Sequence, residues 1–296
     1  MKKILLTLVT VLALATTLSA GTVKKNYKCE DFTALSATHC FNITLIQSDT
    51  YKVQVEVDDE YAKYLSVTVK GRKLEITFKD LPRKLTNINT NTVMKATIQM
   101  PVLSALYLSG ACKLNTTDAF KSEVDTFTAK ISGACDVNTL DISGLDAEID
   151  LSGASRMELN ATFASVDFES SGASKIEGKI VADDIEGDVS GASKSDLTVE
   201  CDNGSFEYSG ASKGTLKGVV SDELVIDVSG ASAVDARDLK AKNVEVGASG
   251  ASRATVWVTR SLDVECSGGS TCRYYADGKI DITSDISRGA SLKKLK

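Results

Sequence analysis

The sequence predicts an all-β protein whose larger part is a parallel β-helix, a solenoid of coils about 20 residues long. Three observations predict it. First, a Ser-Gly-Ala motif recurs with its glycine at Gly110, Gly133, Gly153, Gly172, Gly191, Gly210, Gly230 and Gly250, and in degenerate form at Gly268 and Gly289. The gaps are 23, 20, 19, 19, 19, 20, 20, 18 and 21 residues. A solenoid must return each coil to the same lateral position, whereas a series of hairpins needs no single turn signature at constant spacing. Second, apolar residues stand two positions before the glycine (Leu108, Ile131, Leu151, Val189, Val228) and four before it (Leu106, Ile149, Phe168, Phe206, Ile226, Val246). Third, the position between them is polar: Lys130, Asp150, Glu169, Asp188, Glu207, Asp227 and Glu265. A period of two within the coil means one strand per coil points its −2 and −4 side chains inward.

The chain opens with Lys2 and Lys3, an apolar run over 4–18, and Ser19-Ala20-Gly21. That is the pattern of a secretory leader cleaved after Ala20, and the run is short for a membrane span. The first cysteine, Cys29, lies well past Ala20, which argues against a lipid anchor on a mature N-terminal cysteine. Residues 1–20 are therefore assigned to a signal peptide, 21–102 to an N-terminal antiparallel β cap region, and 103–296 to the β-helix. Cap and helix are expected to share a continuous core, because no Pro- or Ser-rich linker divides them.

Within the cap, 41–46 and 51–57 read as strands around the turn Gln47-Ser48-Asp49-Thr50, with Val53, Val55 and Val57 alternating. Asp59 opens a short helix over 59–65. Segments 66–70 and 73–78 form a hairpin about Gly71-Arg72, with Leu74, Ile76 and Phe78 on one face. A polar loop over 81–92 and a strand over 93–100 complete the cap. In the β-helix a second strand follows each corner, apolar at Leu114, Val137, Met157 and Ile176, and basic one position earlier at Lys113, Arg156, Lys175, Lys194, Lys213 and Arg253. A third strand per coil is expected near 182–186. At the corner, glycine supplies positive φ, alanine adds only a methyl group, and the serines satisfy backbone groups or form ladders.

The chain holds 34 basic and 40 acidic residues; loss of Lys2 and Lys3 leaves 32 against 40, a net charge of −8. Such a surface excludes nucleic acid and direct insertion into anionic membranes as modes of action. A single histidine, a single tryptophan and two prolines leave neither a His-rich metal site nor an aromatic-lined groove, so no metal or cofactor is expected. The seven cysteines are odd in number and none forms a Cys-x-x-Cys pair. Cys112 and Cys135 both follow a corner glycine by two residues, so they should be neighbours on successive coils, as a disulfide or as stacked free thiols.

Candidate binding residues are the acidic column Asp150, Glu169, Asp188, Glu207 and Asp227 beside the basic column Arg156, Lys175, Lys194 and Lys213. The basic column is expected to relieve repulsion along the acids if the corner brings the two together. With Asp183 and Asp184 these are the densest acids of the chain, yet strand period alone explains each of them. No carboxyl has a reason for a raised pKa, so no catalytic residue is assigned. Trp257 and Tyr274-Tyr275 are either a sugar or partner contact or part of core and cap.

The segments Phe41-Asn42-Ile43-Thr44-Leu45, Val69-Lys70-Gly71-Arg72-Lys73-Leu74, Leu106-Tyr107-Leu108-Ser109-Gly110-Ala111 and Tyr274-Tyr275-Ala276-Asp277-Gly278 resemble the auto-transporter adhesin head domain of Bacteroidetes, the head GIN domain, over nearly all of the chain after residue 20. Arg288 and Gly269 depart from the Ser and Ala of the last corners. The resemblance implies a right-handed β-helix with an N-terminal β cap, in a surface or periplasmic protein. With no passenger stalk or membrane barrel in view, self-export is not expected. The expected function is a noncatalytic, exported, adhesin-like binding module of the cell surface or periplasm, or secreted, with an envelope protein or glycan as partner. Its alternatives are a passive structural scaffold of the envelope, and a polysaccharide lyase or hydrolase of the β-helix type.

Overall fold

Alternation of apolar and polar residues puts most of the chain into strands. In a computed structural model, residues 13–19, 21–86, 88, 92–117 and 120–296 are described. The leader expected over 1–20 falls largely outside them. Its described part is strand β1 (Ala13–Ser19), paired antiparallel with β2 (Thr22–Tyr27) from Ser19 opposite Thr22 to Ala13 opposite Tyr27.

There follow β3 (Ala34–Ala37), β4 (Asn42–Gln47), β5 (Lys52–Asp58), α1 (Asp59–Ala62), β6 (Leu65–Lys70), β7 (Lys73–Phe78) and β8 (Met94–Met100). Strands β6 and β7 form the expected antiparallel hairpin, with Gly71 at φ +60° in its turn. The helix is a single turn, shorter than the expected 59–65. Strands β4 and β5 do not pair with each other, because β8 lies between them, parallel to β4 and antiparallel to β5. Pairing within 21–102 is therefore mixed, not purely antiparallel: β3 is parallel to β7, and β3 and β4 continue into the stack above. The physical reason is a corner at Thr38-His39-Cys40, where His39 takes φ +72°. Strands β3 and β4 flank that corner as the first coil.

The stack continues through β9 (Ala105–Leu108), β10 (Lys113–Thr116), β11 (Phe120–Ile131), β12 (Asp136–Leu151), β13 (Arg156–Thr162), β14 (Ser165–Ser170), β15 (Lys175–Val181), β16 (Asp184–Val189), β17 (Lys194–Tyr208), β18 (Lys213–Val228), β19 (Ala233–Ala248), β20 (Arg253–Cys266), β21 (Thr271–Ala276), β22 (Asp281–Ile286) and β23 (Ser291–Lys294). Parallel in-register pairing builds a solenoid of about nine coils. No separate third strand exists near 182–186: Ala182 and Asp183 form a bend, and Asp184 already begins β16. In β17 to β20 the backbone runs through that bend as one long strand.

The corner glycines stack in one column, each with positive φ. The next residue's N–H donates to the glycine carbonyl one coil back, from Ala134 to Gly110 at 2.6 Å through Ala173 to Gly153 at 2.7 Å and Ala251 to Gly230 at 2.8 Å. A Cβ on Gly172 would lie 2.5 Å from the Gly153 carbonyl oxygen, so side chains are excluded there by the coil beneath. Inside, the −2 and −4 columns are buried in a core continuous with the cap. The last serine of each corner also points inward. Ser174, Ser193, Ser212 and Ser232 are buried, with Oγ to Oγ distances of 3.3 Å for Ser174 to Ser193 and 3.2 Å for Ser212 to Ser232. Cys112 and Cys135 begin that same column. Small and large residues interlock between coils: Gly214 leaves room for the fully buried Tyr208, whose hydroxyl pairs with Ser195 Oγ at 2.6 Å.

Candidate functional site: an acidic strand face

Strand alternation decides which side chains the solenoid offers to solvent. On the strand entering each corner the −3 residue points outward, and in-register stacking sets successive −3 residues about 4.8 Å apart. Lys130, Asp150, Glu169, Asp188, Glu207 and Asp227 pair one to the next, and the line resumes beyond Gly247 with Glu265 and Asp285. The expected acidic residues Asp150, Glu169, Asp188, Glu207 and Asp227 therefore share one face.

A second acidic line, Glu148, Asp167 and Glu186, lies beside the first. Sequence reading passed over it, although its signal was the same coil period two positions upstream. Partial burial, and then the charges of Glu186, Asp188, Glu148 and Asp150, hold the Asp167 carboxyl above the ordinary carboxylate range. Counter-charge is sparse. Lys130 Nζ reaches Glu148 at 2.8 Å and Asp150 at 2.9 Å, and both bonds raise its pKa. Among the described residues no ion pair reaches Glu169, Asp188, Glu207 or Asp227.

The basic residues Arg156, Lys175, Lys194 and Lys213 also stack in register, on the strand leaving the corner. They do not relieve the acidic face. Arg156 and Lys175 share Glu177 on their own strand face, and no ion pair crosses the corner among the described residues. Neighbours on one pleated face lie closer than groups on either side of a bend. Burial pushes the Glu177 carboxyl up, but hydrogen bonds from Lys175 and Arg156 outweigh it and hold the group below the ordinary range.

Two shallow grooves run along the acids where they meet the corner serines. One, of about 240 Å³, lies by Glu169, Asp188, Glu207 and Ser190. The other, of about 300 Å³, is lined by Glu207, Asp227, Gly247 and Glu265, and the Asp227 carboxylate lies over Gly247 in the place a side chain there would need. The acids project side by side from one flat sheet, whereas glycoside hydrolysis needs two carboxyls flanking the bond it breaks. Among the described residues no group of three or more His, Cys, Asp or Glu is placed to hold a metal ion.

Trp257 is not an open platform. By register Lys240 lies on the coil before it and Tyr275 on the coil after. Lys240 Nζ sits 4.7 Å from the indole centroid and the Tyr275 ring stacks at 5.7 Å, so both indole faces are covered. Tyr274 is buried in the core. Cys112 and Cys135 stand on successive coils as free thiols, Cys112 Sγ donating to the Ser109 carbonyl at 3.5 Å and Cys135 Sγ to the Ser132 carbonyl at 3.3 Å, and the neighbouring Cys135 together with burial raises the Cys112 pKa. Among the described residues no helix is long and apolar enough to cross a membrane.

A family model described as "Putative auto-transporter adhesin, head GIN domain" matches residues 31–194 and again 162–278. The chain belongs to this family. The two head GIN matches overlap over 162–194, which contains Glu169 and Asp188 of the acidic line, so the family pattern is itself repetitive across the face. The first match starts just before β3, on the coil closed by the His39 corner. Several solved structures are similar. One described as a putative adhesin from Parabacteroides distasonis is 19% identical, covers 93% of this chain and 97% of its own, and has a TM-score of 0.51. Another putative adhesin, from Parabacteroides merdae, is 14% identical over 94% and 97% with a TM-score of 0.49. A putative lipid binding protein from Parabacteroides distasonis is 20% identical over 94% and 98% with a TM-score of 0.45. At such identities the likeness concerns the fold. No curated protein matched the chain.

Proposed function

We propose that this head GIN protein is a noncatalytic, exported binding module of the cell envelope whose recognition surface is the acidic strand face. The observation that carries the proposal is the line from Asp150 to Asp227, in register over five coils and, among the described residues, without ion-pair partners beyond Asp150. A face of this kind suits a partner spread over several coils better than a small molecule in a pocket. Unneutralised carboxylates favour a partner that brings positive charge, so a basic surface of an envelope protein fits better than an anionic glycan. Export is supported by Lys2, Lys3 and the apolar run over 4–18, together with the adhesin family.

The test is an envelope-protein pull-down and a glycan array, each run with the protein and with a variant carrying Asp150→Ser, Glu169→Ser, Asp188→Ser, Glu207→Ser and Asp227→Ser. Binding that weakens with salt and disappears in the folded variant supports recognition by this face. Binding that persists in the variant removes the face from the function. Silence in both assays favours a passive scaffold, and new reducing or unsaturated ends on a captured glycan would replace both readings with an enzyme.

A further inference from the structure

Inside the solenoid one strand edge is left open where the chain departs for the cap. Strand β4 ends at Gln47, the chain leaves through β5 to β8, and it returns past Pro101 into β9. Strand β11 pairs with β12 along almost its whole length, but on its other edge only residues 128–131 have a neighbouring strand, in β9. At 121–126 the coil beneath supplies no strand among the described residues. Lys121 shows what this edge accepts. Its N–H donates to Gln47 Oε1 at 3.0 Å and its carbonyl accepts from Gln47 Nε2, so a side-chain amide takes the two bonds that a neighbouring peptide group would take. Strand alternation turns the N–H and C=O of Glu123 to the same side, where no described residue bonds them.

A groove of about 970 Å³ runs beside that edge, at the upper end of the roughly 300–1,000 Å³ typical of ligand clefts. Val102, Val124 and Leu145 give it apolar walls, and Leu145 is 58% exposed. Glu123 and Asp125 line it too, exposed and without ion-pair partners among the described residues. Arg72 lies on the far side of Thr33 and Ser104, which stack between it and β11. We propose that the groove takes an extended peptide of a partner protein, added as a strand to the open edge of β11. Backbone bonds to Glu123 hold the strand, and alternate side chains select it. The peptide residue beside Glu123 faces outward, and a basic side chain there meets Glu123 and Asp125. Its two neighbours face inward and are small and apolar, against Val102 and Val124. The site is separate from the acidic strand face, which offers side chains and no free backbone.

Fluorescence anisotropy with a positional-scanning library of labelled pentapeptides tests the site on the full chain. The expected result is a preference for Lys or Arg flanked by Val, Ile or Ala. N-methylation of the amides of the selected peptide that face β11 should weaken binding at least ~10-fold, and N-methylation of the alternate amides should change it little. Glu123→Lys with Asp125→Lys should exchange the preference for Lys for one for Glu, a gain that a misfolded chain would not show. Binding should persist when the acidic strand face is changed to serine, so this site and that face can fail independently. No binding from any pool at millimolar concentration overturns the proposal, as does binding that is indifferent to which amides are methylated or to the charge reversal.

Discussion

A single atom decides the corner. The Cβ that Gly172 lacks would sit 2.5 Å from the Gly153 carbonyl oxygen, and φ at Gly172 is +77°. Gly71, at φ +60°, has no atom within 4 Å of the same position. The pair separates two costs. Gly71→Ala should destabilise by about 1–2 kcal/mol through left-handed backbone alone. Gly172→Ala should cost clearly more, because the backbone of the coil beneath cannot move aside; urea unfolding of the two variants checks the order. The corner glycines were legible in the sequence because one steric requirement is repeated at every coil. His39 was not. It fills the same corner without being glycine, since no earlier corner lies beneath it to collide with its Cβ. Serine at the end of the motif was readable as a ladder former, and Ser174 and Ser193 bear that out.

Between strands, the ladder of like charges sets what each coil contributes. Asp167 stands opposite Glu148 on one side and Glu186 on the other, and like charges placed directly opposite destabilise a sheet. Asp167→Asn should therefore raise stability by ~0.2–1 kcal/mol, and 1 M salt should shrink the gain. A thermal melt at low and high salt checks it; a loss of stability would mean that the carboxylate has a partner in solution. Strands with local partners were legible at this scale: the hairpin of β6 and β7 follows from alternation around Gly71-Arg72. The separation of β4 from β5 was not, because β8 returns between them from some 40 residues further along and no local pattern records that choice. The acidic face was half legible. The −3 line was found from its period and the line through Asp167 carried the same period unread, while the Asp227 carboxylate lying over Gly247 emerges only when neighbouring coils are seen together.

Six of the seven cysteines of the molecule are buried, Cys40 being half-buried. Burial pushes Cys29 up to about 11, and Cys201 and Cys272 up to about 12, from an ordinary value of 9.0. Thiols whose pKa is higher folded than unfolded give stability that is complete below pH 9 and is lost as pH climbs toward 12. In reducing buffer the urea midpoint should fall between pH 8 and pH 10.5, and Cys272→Ala should flatten that slope; an unchanged slope in this and the Cys201→Ala variant would show that the thiols do not govern it. The column of corner hydrogen bonds, from Ala111 onto His39 up to Gly269 onto Gly250, has a mechanical meaning as well. Every one of those bonds, like the strand ladders beside them, points along the long axis, so tension on that axis loads the coils in series and opens them one at a time. Each opened coil of about 20 residues pays out roughly 60 Å of chain. Stretched in an optical trap, the protein should lengthen in repeated steps of that size and hold its load between them, behaving as an extensible tether instead of snapping free at one threshold.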